Sequence, residues 1–351
     1  MPEPAALLDT AMQLHQRAIV VDAHHDIAID VLHRRRLGER GSLSGVWGPQ
    51  LRAGGVKVQI LPTFVESIYL PERGLRCILT QIDAVGSDLE EDDRLVQLAA
   101  TAAEIDSVIA NGKIAAVLAV EGCDGLGGDP ALLRILYRLG VRMVSLTWNR
   151  RNEFADGLGE GEAANGLSQA GRIAVREMGE WGVLCDVSHL AEAGFWDVAK
   201  FCRGPFVASH SNARAVCDHP RNLSDDQLRA IAESGGVIGL NFYGAFIDPH
   251  SPTLARLADH AAHIADTVGV AHVGVGTDFL EDWLLEAAKA SVTEALVDPA
   301  MFDLWMPDCC RSEHLPRFSA ALLARGFTED DVEKVLGGNF MRTLRLPARA
   351  S

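Results

Sequence analysis

Aromatic residues are scarce in this chain, at 6% with only 3 Tyr, and basic residues are outnumbered, with 32 Lys and Arg against 48 Asp and Glu. The formal charge of -16 repels a phosphate backbone, so nucleic acid is not an expected partner. Long apolar runs are missing as well. No stretch reaches the roughly 18 uncharged apolar residues of a membrane span. The opening Met1-Pro2-Glu3-Pro4 has no basic region ahead of an apolar segment, and the closing Leu346-Pro347-Ala348-Arg349-Ala350-Ser351 is too polar and short for an anchor signal. Neither membrane insertion nor secretion is expected. The 7 cysteines (77, 123, 185, 202, 217, 309, 310) show no CxxC spacing, and an odd count in a chain of this size reads as reduced thiols. The expected location is therefore cytoplasmic.

What remains is ample apolar material, 48% of 351 residues, distributed in short runs. Eight of these runs, at 19–26, 56–64, 114–122, 143–148, 183–189, 205–210, 236–243 and 272–279, have the length and β-branched content of buried strands. Helical patterns at 92–111, 130–139, 168–181, 191–201, 224–234 and 253–268 lie between most of them. Parallel strands covered on both faces read as continuous apolar runs joined by crossover helices. The pattern predicts an α/β chain folded as one (β/α)8 TIM barrel over 1–351. An elaborated loop is expected at about 281–317, followed by C-terminal helices.

The acids and histidines fall at one end of these runs. The first run closes on Asp22-Ala23-His24-His25-Asp26, the third on Val120-Glu121-Gly122, the fifth on Asp186-Val187-Ser188-His189, and the sixth on Ala208-Ser209-His210-Ser211. The eighth reaches Gly276-Thr277-Asp278-Phe279. Barrel sites are assembled at the C-terminal ends of strands, so these five segments are expected to converge. Side chains two apart share a strand face, which pairs His24 with Asp26 and turns His25 away. Three histidines with carboxylates suit zinc or a similar divalent ion, and Glu121 can bridge two of them. Two such ions about 3.5–4 Å apart would hold a hydroxide between them as nucleophile. Asp278 would take its proton and pass it to the leaving group. The reaction class implied is metal-assisted hydrolysis. His15, His33, His219, His250, His260, His263, His272 and His314 lack strand-end placement and read as structural or solvated. Cys123, two residues past Glu121, reads as a small buried residue.

At these residues the chain resembles the membrane (renal) dipeptidase family, zinc peptidases within the amidohydrolase-like barrels. The likeness extends through Gly54-Gly55-Val56-Lys57-Val58-Gln59, the segment from Leu132 to Thr147, Gly166-Leu167-Ser168-Gln169-Ala170-Gly171, Arg221-Asn222-Leu223, Asn241-Phe242-Tyr243 and Gly338-Asn339. The resemblance implies one zinc on His24, Asp26 and Glu121, and a second on Glu121, His189 and His210. It also implies Asp278 as the proton-handling aspartate, Arg221 as the clamp for the substrate's terminal carboxylate, and Tyr243 as part of the pocket lining. A planar guanidinium suits the clamp role.

Departures bear on the substrate. Animal members read Leu-Thr-His where this chain has Leu146-Thr147-Trp148-Asn149. An indole can donate one hydrogen bond but cannot accept a proton, so oxyanion stabilisation would come from Trp148, from Asn149 or from the metals. His25 stands for the usual asparagine, and Asp278-Phe279-Leu280-Glu281 for Asp-Phe-Asp-Gly. Residues 143–148 hold no lysine that could be carboxylated into a bridge, which again favours Glu121.

The leading expectation is a dizinc dipeptidase for small dipeptides with a free C-terminal carboxylate, including a D-residue at that end as bacterial relatives accept. By resemblance it would be a homodimer. Competing expectations are a metal-dependent hydrolase of another small amide, lactam or lactone, and a catalytically silent barrel kept for binding.

Overall fold

The computed structural model describes residues 4–280, 306 and 308–345. Nine parallel strands are present among them: β1 (Val20–Asp22), β2 (Val56–Phe64), β3 (Val96–Leu98), β4 (Ile114–Glu121), β5 (Val141–Ser145), β6 (Leu184–Asp186), β7 (Phe206–Val207), β8 (Ile238–Leu240) and β9 (Val273–Val275). Pairing runs β1-β2-β4-β5-β6-β7, with β8 and β9 paired to each other. The ring closes at both seams. Ala208 bridges to Ile238 between β7 and β8, while Ala23 N–H donates to Val275 O and Asp278 N–H to His24 O between β9 and β1. The fold is the (β/α)8 barrel.

Strand β3 corrects the sequence expectation, which placed 92–111 in a single helix. The helix there is Ala102–Ala110, started by a reciprocal cap between Thr101 and Glu104, and Val96–Leu98 ahead of it are extended. Ala116 of β4 pairs with Gln59 on one side and Leu98 on the other, while Val120 pairs with Thr63 and Val144. The lower half of β4 is thus covered by β3 and its upper half by β5. Helices Pro4–Arg17, Ile27–Arg36 and Gly74–Glu91 add to those expected. Of the expected 281–317 loop, 281–305 and 307 lie outside the described residues, and a helix already begins at Leu315.

Alternation along the strands sorts the core into two shells. Val21, Ala23, Val58, Ile60, Ala115, Val117, Ala119, Met143, Leu184, Val207 and Val237 pack together with Phe340 and Met341 inside the ring. Their strand neighbours, such as Ala116, Leu118 and Val120, join the shell that faces the helices. Helix Asn339–Leu344 supplies the floor. A Cβ on Gly274 would meet the Phe340 ring at 2.4 Å, so the strand must be bare there. By the same parity Glu121 points inward, above Ala115, Val117 and Ala119.

Two buried histidines outside the strand ends hold the shell together as neutral rings. His15 contacts Gly54 O at 2.6 Å and Ser319 Oγ at 2.7 Å, and His260 contacts Ile247 O at 3.0 Å while accepting Ala213 N–H at 3.1 Å. Burial lowers both to about 4. In the unfolded chain the same imidazoles titrate near 6.5, so the unfolded state takes up protons first as pH falls. Their stabilisation is complete above pH 6.5 and is lost towards pH 4, by up to about 3 kcal/mol for each ring. The expected result is a thermal midpoint that falls across this window, with a shallower slope in His260→Gln; equal slopes would remove His260 from the account.

No helix among the described residues is long and apolar enough to cross a membrane.

Candidate metal centre

The hydrogen-bonded strands stop short of the residues expected to act. Only Glu121 lies within a ladder; His24, Asp26, His189, His210 and Asp278 sit two to four positions beyond β1, β6, β7 and β9. The backbone turns sharply at two of them. His189 and Asp278 have φ of 66° and 57°, the only positive values outside glycine among the described residues. Such conformations concentrate where the surroundings over-determine them, frequently at functional sites. Gly122, with φ of 82°, turns the chain directly behind Glu121, where a Cβ would strike Asp124.

These turns bring the five segments together. Glu121 Oε2 lies 3.5 Å from His24 Nε2, while its Oε1 lies 3.0 Å from His189 Nε2 and 3.7 Å from His210 Nε2. The carboxylate therefore turns one oxygen to His24 and the other to His189 and His210, while the His24 and His210 rings lie 3.8 Å apart. His24 also lies 3.9 Å from Asp278 Oδ1. His24, Glu121 and His210 have donor atoms within 4.8 Å of one another, and so do His24, Asp26 and Asp278. Asp26 occupies the N-cap of helix Ile27–Arg36 yet accepts none of that helix's N–H groups with its side chain. His25 turns the other way, edge-on to Trp47 and Phe279 at 5.0 and 5.7 Å.

Whether the donors suit a metal can be tested on their protons. Neither ring nitrogen of buried His24 has a hydrogen-bond partner. The Nε2 atoms of His189 and His210 face each other at 2.9 Å, with Glu121 Oε1 beside them. A guanidinium also reaches this point, with Arg221 Nη2 at 3.0 Å from His189 Nε2. Lone pairs crowded this way fit divalent cations between them. Charge follows the same lines. Burial opposes protonation of His24, but Glu121, Asp278 and Asp26 outweigh it and raise the ring to about 10. Burial, helped by Arg221, lowers His189 to about 3, and burial with His24 and Arg221 takes His210 well below its usual range. Glu121, although buried, is held well below the carboxylate range by His24 and His189. Burial and Glu121 raise Asp26 and Asp278. The acids thus favour the charged form of His24, while His189 and His210 are pushed towards the neutral form that binds metal.

The remaining expected residues surround this cluster. Trp148 is half-buried, its ring 6.0 Å from His189 and 5.3 Å from Phe64, under the Arg150 guanidinium at 5.3 Å. Asn149 Oδ1 meets His189 Nδ1 at 2.7 Å, so its carbonyl, rather than a free N–H, faces the histidine. Tyr243 is buried against Phe246, with its backbone N–H on Asn241 Oδ1 at 2.6 Å. Sequence reasoning missed the roles of Asn241, Asp22 and Asp186. Asn241 Nδ2 donates to Asp278 Oδ2 at 2.8 Å. Asp22 ties the β9 end to the β1 end by accepting Thr277 N–H and Oγ1–H at 2.9 and 2.8 Å. Asp186 accepts the N–H groups of Ser188 and Ser209, both at 2.9 Å. A signal existed, since each aspartate precedes a histidine by two or three positions in its own segment.

A family model described as membrane dipeptidase (peptidase family M19) matches residues 8–289. The dipeptidase aclJ of Aspergillus oryzae is 32% identical over 352 residues, covering 95% of this chain and 79% of that protein. The dipeptidase verJ of Clonostachys rogersoniana is 34% identical over 271 residues, 77% of this chain; the match spans 65% of that longer relative. Among solved structures, a dipeptidase AC described as a metallo peptidase of family M19 superposes with a TM-score of 0.80 at 28% identity, covering 95% of this chain and 99% of that one. A metallo peptidase from Rhodobacter sphaeroides, liganded with a phosphinate mimic of the dipeptide L-Ala-D-Ala, gives 0.78 at 27% identity over 93% and 99%. The chain belongs to the membrane dipeptidase family, peptidase family M19, a family of metal-dependent hydrolases that act on peptide bonds.

Proposed function

We propose that the chain is a dizinc dipeptidase that cleaves small dipeptides with a free C-terminal carboxylate, L-Xaa-D-Xaa substrates among them. The observation that carries this reading is Glu121 turning Oε2 to His24 and Oε1 to His189 and His210, within 3.0–3.7 Å of all three. Glu121 would hold both ions, His24 and Asp26 completing one set and His189 and His210 the other. Bound there, divalent ions supply Lewis acidity and bring the pKa of water towards neutrality. Asp278 offers Oδ1 on the His24 side for a proton, while Asn241 keeps its Oδ2 in place. Arg221 is buried with Nε unpartnered, a cationic donor suited to a terminal carboxylate. The likeness to the Rhodobacter sphaeroides peptidase with its L-Ala-D-Ala mimic supports the dipeptide class.

A second reading, hydrolysis of another small amide, lactam or lactone, is favoured by one observation. Trp148 and Phe64 put an apolar wall beside His189 in place of the histidine of animal family members. One assay separates the readings: zinc-reconstituted protein is given L-L and L-D dipeptides and their C-terminal amides. Free acids cleaved and amides spared support the dipeptidase with Arg221 as clamp. Equal rates on both forms remove Arg221 from recognition, and no cleavage of any dipeptide moves the assignment to the second reading.

A further inference from the structure

A neutral histidine has one lone-pair nitrogen to present to a metal, and what its other nitrogen does decides which. His210 Nδ1 lies 2.6 Å from Ser209 Oγ, and that hydroxyl is also in close contact with Asp186 Oδ2. Ser209 has a single proton to give. The carboxylate of Asp186 can only accept, and its Oδ1 is already fixed by the N–H groups of Ser188 and Ser209. The Ser209 proton therefore goes to Asp186, and the Ser209 oxygen is left to accept. His210 must then carry its proton on Nδ1, which leaves the Nε2 lone pair facing Glu121 and His189. All three residues are buried, so no water competes for these positions.

We propose that Asp186 and Ser209 form a positioning relay that fixes the tautomer of His210 and thereby sets the metal affinity of the centre. The relay rests on the two-metal reading above but adds residues that touch neither metal nor substrate. It also orders the effects of substitution. Ser209→Ala cuts the relay and leaves His210 free to choose its tautomer. Asp186→Asn reverses it: the amide donates to Ser209 Oγ, the hydroxyl turns its proton to His210 Nδ1, and the ring proton moves to Nε2, the atom a metal needs.

Zinc titration against a competing chelator tests the order. Ser209→Ala is expected to bind zinc about 10–100-fold more weakly than wild type, the usual effect of losing a partner of a ligating histidine, and Asp186→Asn at least as weakly, with thermal melts showing both folded. Long-range 15N–1H correlation spectra of metal-free protein supply a readout independent of activity. The wild type should show the His210 proton on Nδ1, and Asp186→Asn should show it on Nε2. A wild-type proton on Nε2 overturns the relay even if both variants fail to fold, and so does a folded Ser209→Ala with unchanged zinc affinity. Zinc bound normally but no dipeptide cleaved defeats the dipeptidase reading and leaves the relay standing.

Discussion

Asp278→Asn is expected to lower kcat on a cleaved dipeptide by about 10²–10⁴-fold, the range a positioned acid–base group contributes, with fold and zinc content retained. The substitution isolates the chemistry because of where Asp278 sits. Its φ of 57° is a conformation in which Asn is also at ease, so the backbone need not move. The Asn241 amide that donates to Oδ2 can donate equally to the carbonyl of an asparagine. What disappears is the ability to hold a proton at the oxygen 3.9 Å from His24. Burial and Glu121 already raise this carboxyl above its usual range, the direction that suits a group alternating between base and acid. Turnover equal to wild type would show that the proton passes elsewhere, and a loss confined to KM would make Asp278 a binding residue.

Glu121→Gln is expected to abolish zinc loading along with activity. Its loss in metal affinity should exceed the roughly 100-fold that removal of an outer partner can cost. Glu121 is the last residue of β4, only 6% exposed, and its two oxygens face different histidines. A glutamine keeps the length and one acceptor but turns the other position into an N–H donor and deletes the charge. That N–H would point at the lone pairs of either His24 or the His189–His210 pair, where a cation is needed. Metal analysis of the purified variant checks this directly. Two zinc ions per chain in Glu121→Gln would refute the bridging assignment, and one retained ion would show which set depends on Glu121.

Much of this centre was legible because it rests on residues that do not otherwise belong at the end of an apolar run. Histidines and acids closing strand-like segments need a reason, and five such closures in barrel order supply one. β2 was readable to the residue, since β-branched Val56, Val58 and Ile60 alternate with Lys57 and Gln59 directly after Gly54-Gly55. The ladders around the site were less so: the apolar runs at 183–189 and 205–210 continue past the regular strands, which end at Asp186 and Val207, and the first of them turns at His189. β3 was hidden because three extended residues carry no period, although the Thr101…Glu104 pair marks where the helix begins. Helix Gly74–Glu91 follows a 3.6-residue period through Ile78, Ile82, Val85 and Leu89 and is legible in hindsight. Ser209 and Asn149 were beyond reach in these roles. Which proton lies on which side of an imidazole depends on contacts between segments, not on spacing within one.

The floor formed by Phe340 and Met341 has a bearing on traffic. With the lower end of the ring filled by Phe340 and Met341, the proposed reaction leaves substrate and products the strand ends as their route. On the proposed reading a cleaved dipeptide would yield two amino acids there, and the one that carried the terminal carboxylate would still match Arg221. Departing product and arriving substrate would then compete for the same guanidinium, so product inhibition is the expected consequence of the plugged shape.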